Sequence, residues 1–314
     1  MIWLNVKDNP NERSSHIHVT PTSGGLSVLT ALIVISVGLS LWNWAVFLIC
    51  AIVIAGLGLI DDMRGFKPLL KFTVMFGIAI FTALNIPIVT YIPITETLML
   101  PIPYWLWVSF AVLWIIVLLN AVNFMDGANG MLVLTTLPAA SLLTFLYLSA
   151  GHFIGLWAAA ILIGLVVFAF FNLRRQVRVF AGDAGSLCVG YVLAVLSLMH
   201  VSIAETRIQT YVLLFLIWPI LLDVFMTLLR RARAGRPLTE AHNEHLYQRY
   251  IQMGYSHLCV SFTYGVLSAL ILAFGAVLMS QSVVVIQLCS LALIVGSIII
   301  YCVLYRKAMH QLTS

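Results

Sequence analysis

The sequence predicts an all-α, polytopic integral membrane protein with about ten transmembrane helices, organised as a single membrane domain over residues 1–314. Of its 314 residues, 62% are hydrophobic and only 9% are charged, which is far more apolar than a soluble domain needs. The apolar residues form continuous blocks, such as 26–41 and 283–304, and not the alternating pattern of a membrane barrel. Helices are therefore the predicted spanning elements.

Polar breaks divide the apolar blocks in chain order. The arm 1–24 has charged and histidine side chains without an apolar core, which excludes a signal peptide and an anchor. Later breaks are a proline-rich outer stretch at 87–103, a polar island at 120–130, a glycine-rich segment at 180–186 and a long loop at 230–256. The helices are predicted near 25–42, 44–60, 69–86, 104–122, 131–150, 153–171, 185–203, 209–229, 257–279 and 283–304.

The basic residues indicate the orientation of these helices. With the arm in the cytoplasm, all Lys and Arg residues except Arg207 fall on the inner side, so both termini are predicted to be cytoplasmic. The net charge of +5 suits basic loops beside anionic membrane lipid and requires no nucleic-acid partner. Most acidic residues share this side, so an active site is predicted at the cytoplasmic face.

The second apolar block ends at two adjacent carboxylates, Asp61 and Asp62. Such a pair at a membrane boundary is stable mainly when a cation or basic groups stand opposite it. Arg64, Lys67 and Lys71 supply part of that charge. A solvated loop of mixed charge is the other interpretation of this pattern.

The island 120–130 carries Asn120, Asn123, Asp126 and Asn129 at regular steps of three. On a helical segment these side chains share one face, which could hold a cation and a polar ligand together. A solvated turn between two membrane helices is the alternative.

The segment 182–186 places Asp183 between glycines, directly before an apolar helix. Glycines allow close backbone approach, and free N–H groups at a helix start favour a phosphate or a metal–phosphate complex. An ordinary helix cap with glycine turn residues explains the same pattern.

The loop 230–256 contains four arginines followed by His242 and His245. Arginines bind phosphate oxygens in a bidentate manner, and histidines three residues apart share a helical face. No third metal ligand lies nearby, so the loop is predicted to bind a pyrophosphate, with a plain basic membrane loop as the alternative.

The four clusters together supply carboxylates, amides, arginines and histidines on one side of the membrane. Oxygen ligands for a hard cation and basic groups for phosphates are typical of magnesium-dependent transfer of a phosphorylated group. The alternative is a membrane transporter of a polyprenyl-linked or anionic solute. A transporter more often has carboxylates near the bilayer midplane, whereas these helix centres are almost free of charge.

Five motifs occur in one order along the predicted cytoplasmic face: Pro21-Thr22-Ser23-Gly24-Gly25, Gly58-Leu59-Ile60-Asp61-Asp62, residues 120–127, residues 182–186 and His242-x-x-His245. They resemble the polyprenyl-phosphate N-acetylhexosamine-1-phosphate transferases, of the glycosyltransferase 4 type, over nearly the whole chain. Within that family, residues 8–16 and 242–248 are similar to the bacterial enzymes that initiate O-antigen, lipopolysaccharide or related surface polysaccharides. The peptidoglycan branch, which has three successive histidines, is less similar.

The resemblance implies transfer of a sugar 1-phosphate from a UDP-N-acetylhexosamine to undecaprenyl phosphate, with release of UMP. It implies a location in the bacterial cytoplasmic membrane and Mg²⁺, or Mn²⁺ in its place, as cofactor. The sugar stays open among GlcNAc, GalNAc, QuiNAc and FucNAc, and so do a one-step or two-step mechanism and a homodimer.

The resemblance also implies residue roles. Asp183 and Asn123 are the implied metal ligands, together with the donor pyrophosphate. Asp61 and Asp62 face the lipid phosphate, one of them as a base unless that phosphate attacks unaided. The other implied site residues are Asp126 as a further catalytic candidate, Asn129 at the uracil, and Arg236, His242 and His245 at the phosphates or the sugar.

The chain departs from the family in two respects. Family members usually have one more membrane helix before the arm, whereas only seven residues precede Asp8, which implies either a lost helix or a start codon placed too late. Position 129 is Asn in some branches and Asp in others, so the uracil role of Asn129 is less specific than the other assignments.

Overall fold

The computed structural model describes residues 7–8, 20–22, 24–174, 177–203, 211–238 and 242–313. Most of the arm, Ser23 of the first motif and Arg207 lie outside the described residues. Most of the described chain is helical and its strands are only two or three residues long, which confirms the all-α class. The helices are α1 Leu26–Gly38, α2 Ala45–Arg64, α3 Pro68–Asn85, α4 Tyr104–Met125, α5 Met131–Ser149, α6 Gly155–Asn172, α7 Gly182–Ile203, α8 Val212–Phe215, α9 Trp218–Arg233, α10 Leu246–Gln252, α11 His257–Leu278 and α12 Val283–Thr313.

Two short antiparallel hairpins complete the described structure. Strand β1 (Lys7–Asp8) pairs with β2 (Thr20–Pro21), and β3 (Tyr91–Pro93) pairs with β4 (Met99–Pro101). The second hairpin lies in the proline-rich stretch between α3 and α4. It is held to the start of α12, because Glu96 Oε1 accepts a hydrogen bond from the Val283 N–H at 2.7 Å.

Eight helices in the described part of the chain are long and apolar enough to cross a membrane: α2 with the preceding 3₁₀ turn, α3, α4, α5, α6, α7, α11 and α12. The polytopic membrane class is therefore confirmed. Two of the ten predicted helices differ in the structure from the prediction. Helix α1 has only 13 residues, and the helix predicted at 209–229 is broken between α8 and α9. Pro219 explains the break, because it has no N–H to continue the helical hydrogen bonds.

Helix α7 forms the centre of the bundle. Its residues from Ala184 to Val201 are all buried, and it packs most extensively against α2 and α4. Small residues make these contacts close: a Cβ added at Gly190 would lie 2.8 Å from the Leu118 carbonyl oxygen in α4. The first turn of α7 is thereby held beside the last turns of α2 and α4.

The Gly24-Gly25 turn packs against the start of α7. The Gly24 N–H donates to the Phe180 carbonyl at 2.8 Å, and a Cβ at Gly25 would lie 2.2 Å from the Gly185 Cα atom. This contact is between two backbones, so no flexible side chain can move aside. The first motif therefore supports the segment that carries Asp183.

We expect Gly25→Ala to lower the free energy of unfolding by about 1–3 kcal/mol, the usual cost of overpacking. Thermal unfolding of the detergent-purified protein measures this change. The matched control is Gly77→Ala, because nothing lies within 4 Å of a Cβ added at Gly77 in α3. Equal unfolding temperatures for the two variants would contradict the close Gly25–Gly185 contact.

Candidate active site

Four helix ends meet at one end of the bundle. Helices α2 and α4 end there, and α3 and α7 begin there, because alternate membrane helices run in opposite directions. The last turn of α2 carries Asp61 and Asp62, the first turn of α3 carries Lys71, the last turn of α4 carries Asn123 and the first turn of α7 carries Asp183. Three of the predicted clusters, which lie far apart along the chain, are thus brought together.

Lys71 joins two of the predicted carboxylates. Its ammonium group lies 2.8 Å from Asp61 Oδ2 and also forms an ion pair with Asp183 Oδ2. Asp61 is held further by the Phe66 N–H, which donates to Oδ1 at 2.6 Å. From the sequence, Lys71 was expected only to contribute part of the charge opposite Asp61 and Asp62. The structure places it in the centre of the site.

Asp62 binds the start of α7. Its carboxylate accepts hydrogen bonds from the backbone N–H groups of Asp183 at 3.1 Å and Ala184 at 3.5 Å. Gly58 permits this approach, since a Cβ there would lie 2.5 Å from the Asp183 backbone. The prediction that these N–H groups are free for a phosphate is wrong for these two residues, because Asp62 already accepts from them.

The predicted metal pair is in direct contact. Asn123 Nδ2 donates to Asp183 Oδ1 at 2.8 Å and to Ser186 Oγ at 2.9 Å. Both bonds use the amide nitrogen, so the amide oxygen of Asn123 is left as a ligand. Among the described residues, no group of three His, Cys, Asp or Glu side chains is placed to hold a metal ion. Mg²⁺ usually binds one or two carboxylates together with substrate phosphates and water, so this donor set fits Mg²⁺ bound with a pyrophosphate.

Asn120 and Asp126, two other polar residues of the island, lie in different environments. Asn120 donates to the Ile116 carbonyl of its own helix at 2.8 Å. Asp126 follows α4, and burial together with the charges of Asp183 and Asp62 raises its pKa well above the ordinary value for a carboxyl group. The island is therefore not one continuous helical face.

Two residues that the sequence analysis missed hold the end of the island. The backbone N–H of Asn129 points at His257 Nδ1, 3.5 Å away. The Gly130 N–H donates to Asn172 Oδ1 at 2.7 Å, and Asn172 Nδ2 donates to the Val179 carbonyl at 3.1 Å. Asn172 is a polar residue at the end of an apolar helix, and this is the only signal for it in the sequence.

The histidine segment lies against the island. The Tyr247 hydroxyl donates to the Phe124 carbonyl at 3.2 Å, and the rings of His245 and Phe124 have centroids 6.3 Å apart. The rings of His242 and His245 are 5.0 Å apart. Both histidines precede α10, so the predicted shared helical face is wrong. An extended backbone at His245 brings the two rings together instead.

Arg236 takes part in an ion cluster around Glu244. Its Nη1 lies 3.0 Å from Glu244 Oε1, and the buried Arg231 lies 2.5 Å from the same oxygen. Arg230 donates to the Glu244 carbonyl at 2.7 Å. Burial acts to raise the pKa of Glu244, but the charges of the three arginines outweigh it and hold that pKa below its ordinary value. Glu244 thus accepts the contacts that were predicted for a phosphate.

His242 is uncharged at neutral pH. Burial, followed by the positive charges of His245 and Arg231, lowers its pKa to about 4. The unfolded state therefore binds a proton between pH 6.5 and 4 that the folded state does not, so stability falls as the pH decreases through this window.

We expect His242→Gln to reduce this acid sensitivity, because glutamine has no proton to gain. Unfolding temperatures of the wild type and the variant at pH 7.5 and pH 5 measure it. The wild type should lose more stability than the variant over this interval, and an equal loss would contradict the lowered pKa.

Comparison with known proteins gives evidence that is independent of this geometry. The family model described as glycosyl transferase family 4 matches residues 44–201, which contain all four converging helix ends. The chain is 26% identical over 263 residues to the probable undecaprenyl-phosphate N-acetylglucosaminyl 1-phosphate transferase of Bacillus subtilis, covering 82% of this chain and 72% of that protein.

Two further relatives are similar over most of the chain. The decaprenyl-phosphate N-acetylglucosaminephosphotransferase of Mycobacterium leprae is 30% identical over 290 residues, covering 79% of this chain and 70% of the relative. The undecaprenyl-phosphate alpha-N-acetylglucosaminyl 1-phosphate transferase of Escherichia coli K12 is 26% identical over 261 residues, with the same coverage.

Proposed function

Because the chain belongs to glycosyl transferase family 4, we propose that it transfers a sugar 1-phosphate from a UDP-N-acetylhexosamine to undecaprenyl phosphate. The observation that carries this proposal is the convergence of Asp61, Lys71, Asn123 and Asp183 at four helix ends. Carboxylates, an amide and a cation at the end of a membrane bundle suit two substrates that each bring phosphates, one from water and one from the lipid.

The proposed reaction exchanges one phosphoanhydride bond for another. An oxygen of the lipid phosphate attacks the phosphorus that bears the sugar, the bond from that phosphorus to the UMP oxygen breaks, and UMP leaves. The product is a lipid diphosphate that carries the sugar. The relatives' names specify N-acetylglucosamine, so UDP-GlcNAc is the first donor to test.

The site residues have different roles in binding the substrates. Asp183 and Asn123 would hold Mg²⁺, which when bound neutralises charge on the donor pyrophosphate. Lys71, one turn into α3, holds Asp61 and Asp183 together and supplies positive charge beside the transferred phosphate. His245 lies over the island with His242 beside it, where imidazole N–H groups can donate hydrogen bonds to the phosphates or the sugar.

The two acids of α2 take different roles in this proposal. Asp62 is committed to the backbone of α7, so it positions Asp183. Asp61 binds Lys71 and is the better candidate to face the lipid phosphate. Burial and the charges of Asp183 and Asp62 raise the pKa of Asp126, which favours the protonated form of this carboxyl group beside the centre. Arg236 Nη1 is paired with Glu244, so this part of the guanidinium binds a phosphate only if Glu244 releases it.

The proposed setting is the bacterial cytoplasmic membrane, with the site on its cytoplasmic face and the product used for O-antigen or a related surface polysaccharide. The eight apolar helices and the membrane-lipid acceptors in the relatives' names support a membrane location. A cytoplasmic site would give direct access to UDP-sugars, and the exposed apolar helix faces give access to the lipid.

Purified protein, Mg²⁺, undecaprenyl phosphate and a panel of UDP-GlcNAc, UDP-GalNAc, UDP-QuiNAc and UDP-FucNAc test the proposal. UMP release that requires the lipid is the expected result, with one donor preferred. Reconstituted vesicles distinguish the transporter alternative: solute counterflow without UMP formation would favour it and contradict the transferase.

A further inference from the structure

A buried carboxylate outside the four helix ends, Asp223 in α9, connects several helices. It is only 1% exposed. Its Oδ2 accepts a hydrogen bond from the Tyr264 hydroxyl of α11 at 2.7 Å, and its Oδ1 lies 3.2 Å from the Tyr301 hydroxyl of α12. A buried charge lowers the stability of a protein unless hydrogen bonds compensate it, and Asp223 has several such bonds. A carboxylate that requires so many partners indicates a role other than packing.

The same carboxylate holds the first residues of α10. Asp223 Oδ1 accepts from the Leu246 N–H at 2.9 Å, and Oδ2 accepts from the Tyr247 N–H at 3.3 Å. His245 Nδ1 lies 3.5 Å from Oδ1. The first N–H groups of a helix have no partner within the helix, and here Asp223 is that partner. The carboxylate therefore fixes the start of α10 and the imidazole in front of it.

The docking of α10 in turn places His245 over the island. Tyr247 donates to the Phe124 carbonyl, next to Asn123, and the ring of His245 lies beside that of Phe124. A continuous series of contacts therefore runs from Asp223 through the start of α10 to the island.

We propose that Asp223 is a positioning residue for the transfer reaction. It holds the segment that carries His242 and His245 where these imidazoles bind the phosphates of the nucleotide sugar. This inference rests on the proposed function, from which the histidines take their role. A purely structural Asp223 would affect the amount of folded protein but not the affinity of folded protein for the donor.

The first experiment uses Asp223→Asn. The amide keeps the shape but replaces one acceptor oxygen with an NH₂ donor, which opposes a backbone N–H. We expect the KM for UDP-GlcNAc to rise about 10- to 100-fold, because small misplacements of binding groups have effects of this size, while the KM for undecaprenyl phosphate changes less than about twofold.

Tyr301→Phe is the matched control for this variant. It removes a hydroxyl beside the same carboxylate and leaves both bonds to α10, so both KM values should stay within about twofold of wild type. A lower kcat for Asp223→Asn with both KM values unchanged would overturn the positioning role.

A second pair of variants leaves the buried carboxylate intact. Leu246 is the first residue of α10, where proline is well tolerated, and His245 already has the extended backbone (φ −61°, ψ 151°) that precedes proline. Leu246→Pro and Leu246→Ala both lose the leucine side chain, but only proline loses the N–H that donates to Asp223. The proline variant should have the higher KM for UDP-GlcNAc by at least about fivefold, and equal values would overturn the proposal.

A combined variant tests whether Asp223 acts through the two histidines. Added to a variant that carries both His242→Ala and His245→Ala, the Asp223→Asn change should alter the donor KM by less than about twofold, whereas independent effects would multiply and contradict the proposal.

Trypsin cleavage after Arg249 in α10 provides a readout that needs no activity. Cleavage should be faster in Asp223→Asn, and an unchanged rate would overturn the docking role. If the wild type shows no lipid-dependent UMP release, the proposed function fails while this proteolysis still reports on Asp223.

Discussion

Asp183→Ala is expected to lower lipid-dependent UMP release by about 10³-fold or more, the scale of losing a central electrostatic group. Asp183 accepts a hydrogen bond from Asn123 and forms an ion pair with Lys71, so this carboxylate joins α7 to α4 and α3. Removing it takes away the only carboxylate among the proposed metal ligands. The measurement is the initial rate of UMP release over a range of Mg²⁺ concentrations.

Asp183→Asn refines this experiment. The isosteric amide keeps an oxygen that can accept from Asn123, so the packing at the start of α7 is preserved while the charge is lost. We expect a loss similar to that of the alanine variant and a higher Mg²⁺ requirement for the residual activity. Glu96→Gln is the control, because it removes one negative charge at the hairpin between α3 and α4. Undiminished UMP release by Asp183→Ala would contradict the metal assignment.

The fold class and the main site motifs were predictable because they rest on local signals. Apolar blocks of membrane length predict helices whatever they pack against, and polar motifs at their ends predict where the chemistry lies. The pairing of Asp183 with Asn123 followed from the family resemblance, and the structure places the two side chains in contact. The short α1 and the broken helix before Pro219 were missed, since hydropathy alone reports little about local breaks.

The contacts within the site were less predictable, because they depend on the crossing of distant helices. Asp62 accepts hydrogen bonds from α7 only because Gly58 allows the two backbones to approach. Arg236 is paired with Glu244 in the same loop. The loop has no helical or strand period from which this contact could be predicted. Asp223 lies in a segment that sequence analysis assigned to an apolar helix, and its partners come from three other helices.

Lys71→Met is expected to reduce the rate of UMP release by about 10²-fold or more, because it leaves two carboxylates without their shared cation. The side chain of Lys71 is 18% exposed and contacts both Asp61 and Asp183, so its charge is only partly screened by water. Lys67→Met is the matched control. Lys67 is exposed and stands just before α3, and its loss should leave the rate within about twofold of wild type.

A double variant separates the charge of Lys71 from its shape. If Lys71 acts by compensating the carboxylates, then Asp61→Asn added to Lys71→Met should recover part of the unfolding temperature that the single variant loses, because one uncompensated charge is removed. The rate should not recover, since the cation that we propose to act on the transferred phosphate is still missing. Lys71→Arg should keep the unfolding temperature but lower the rate, because the planar guanidinium does not reproduce the compact ammonium between the two acids. Additive losses of stability in the double variant would show that the ion pairs do not hold these helix ends together.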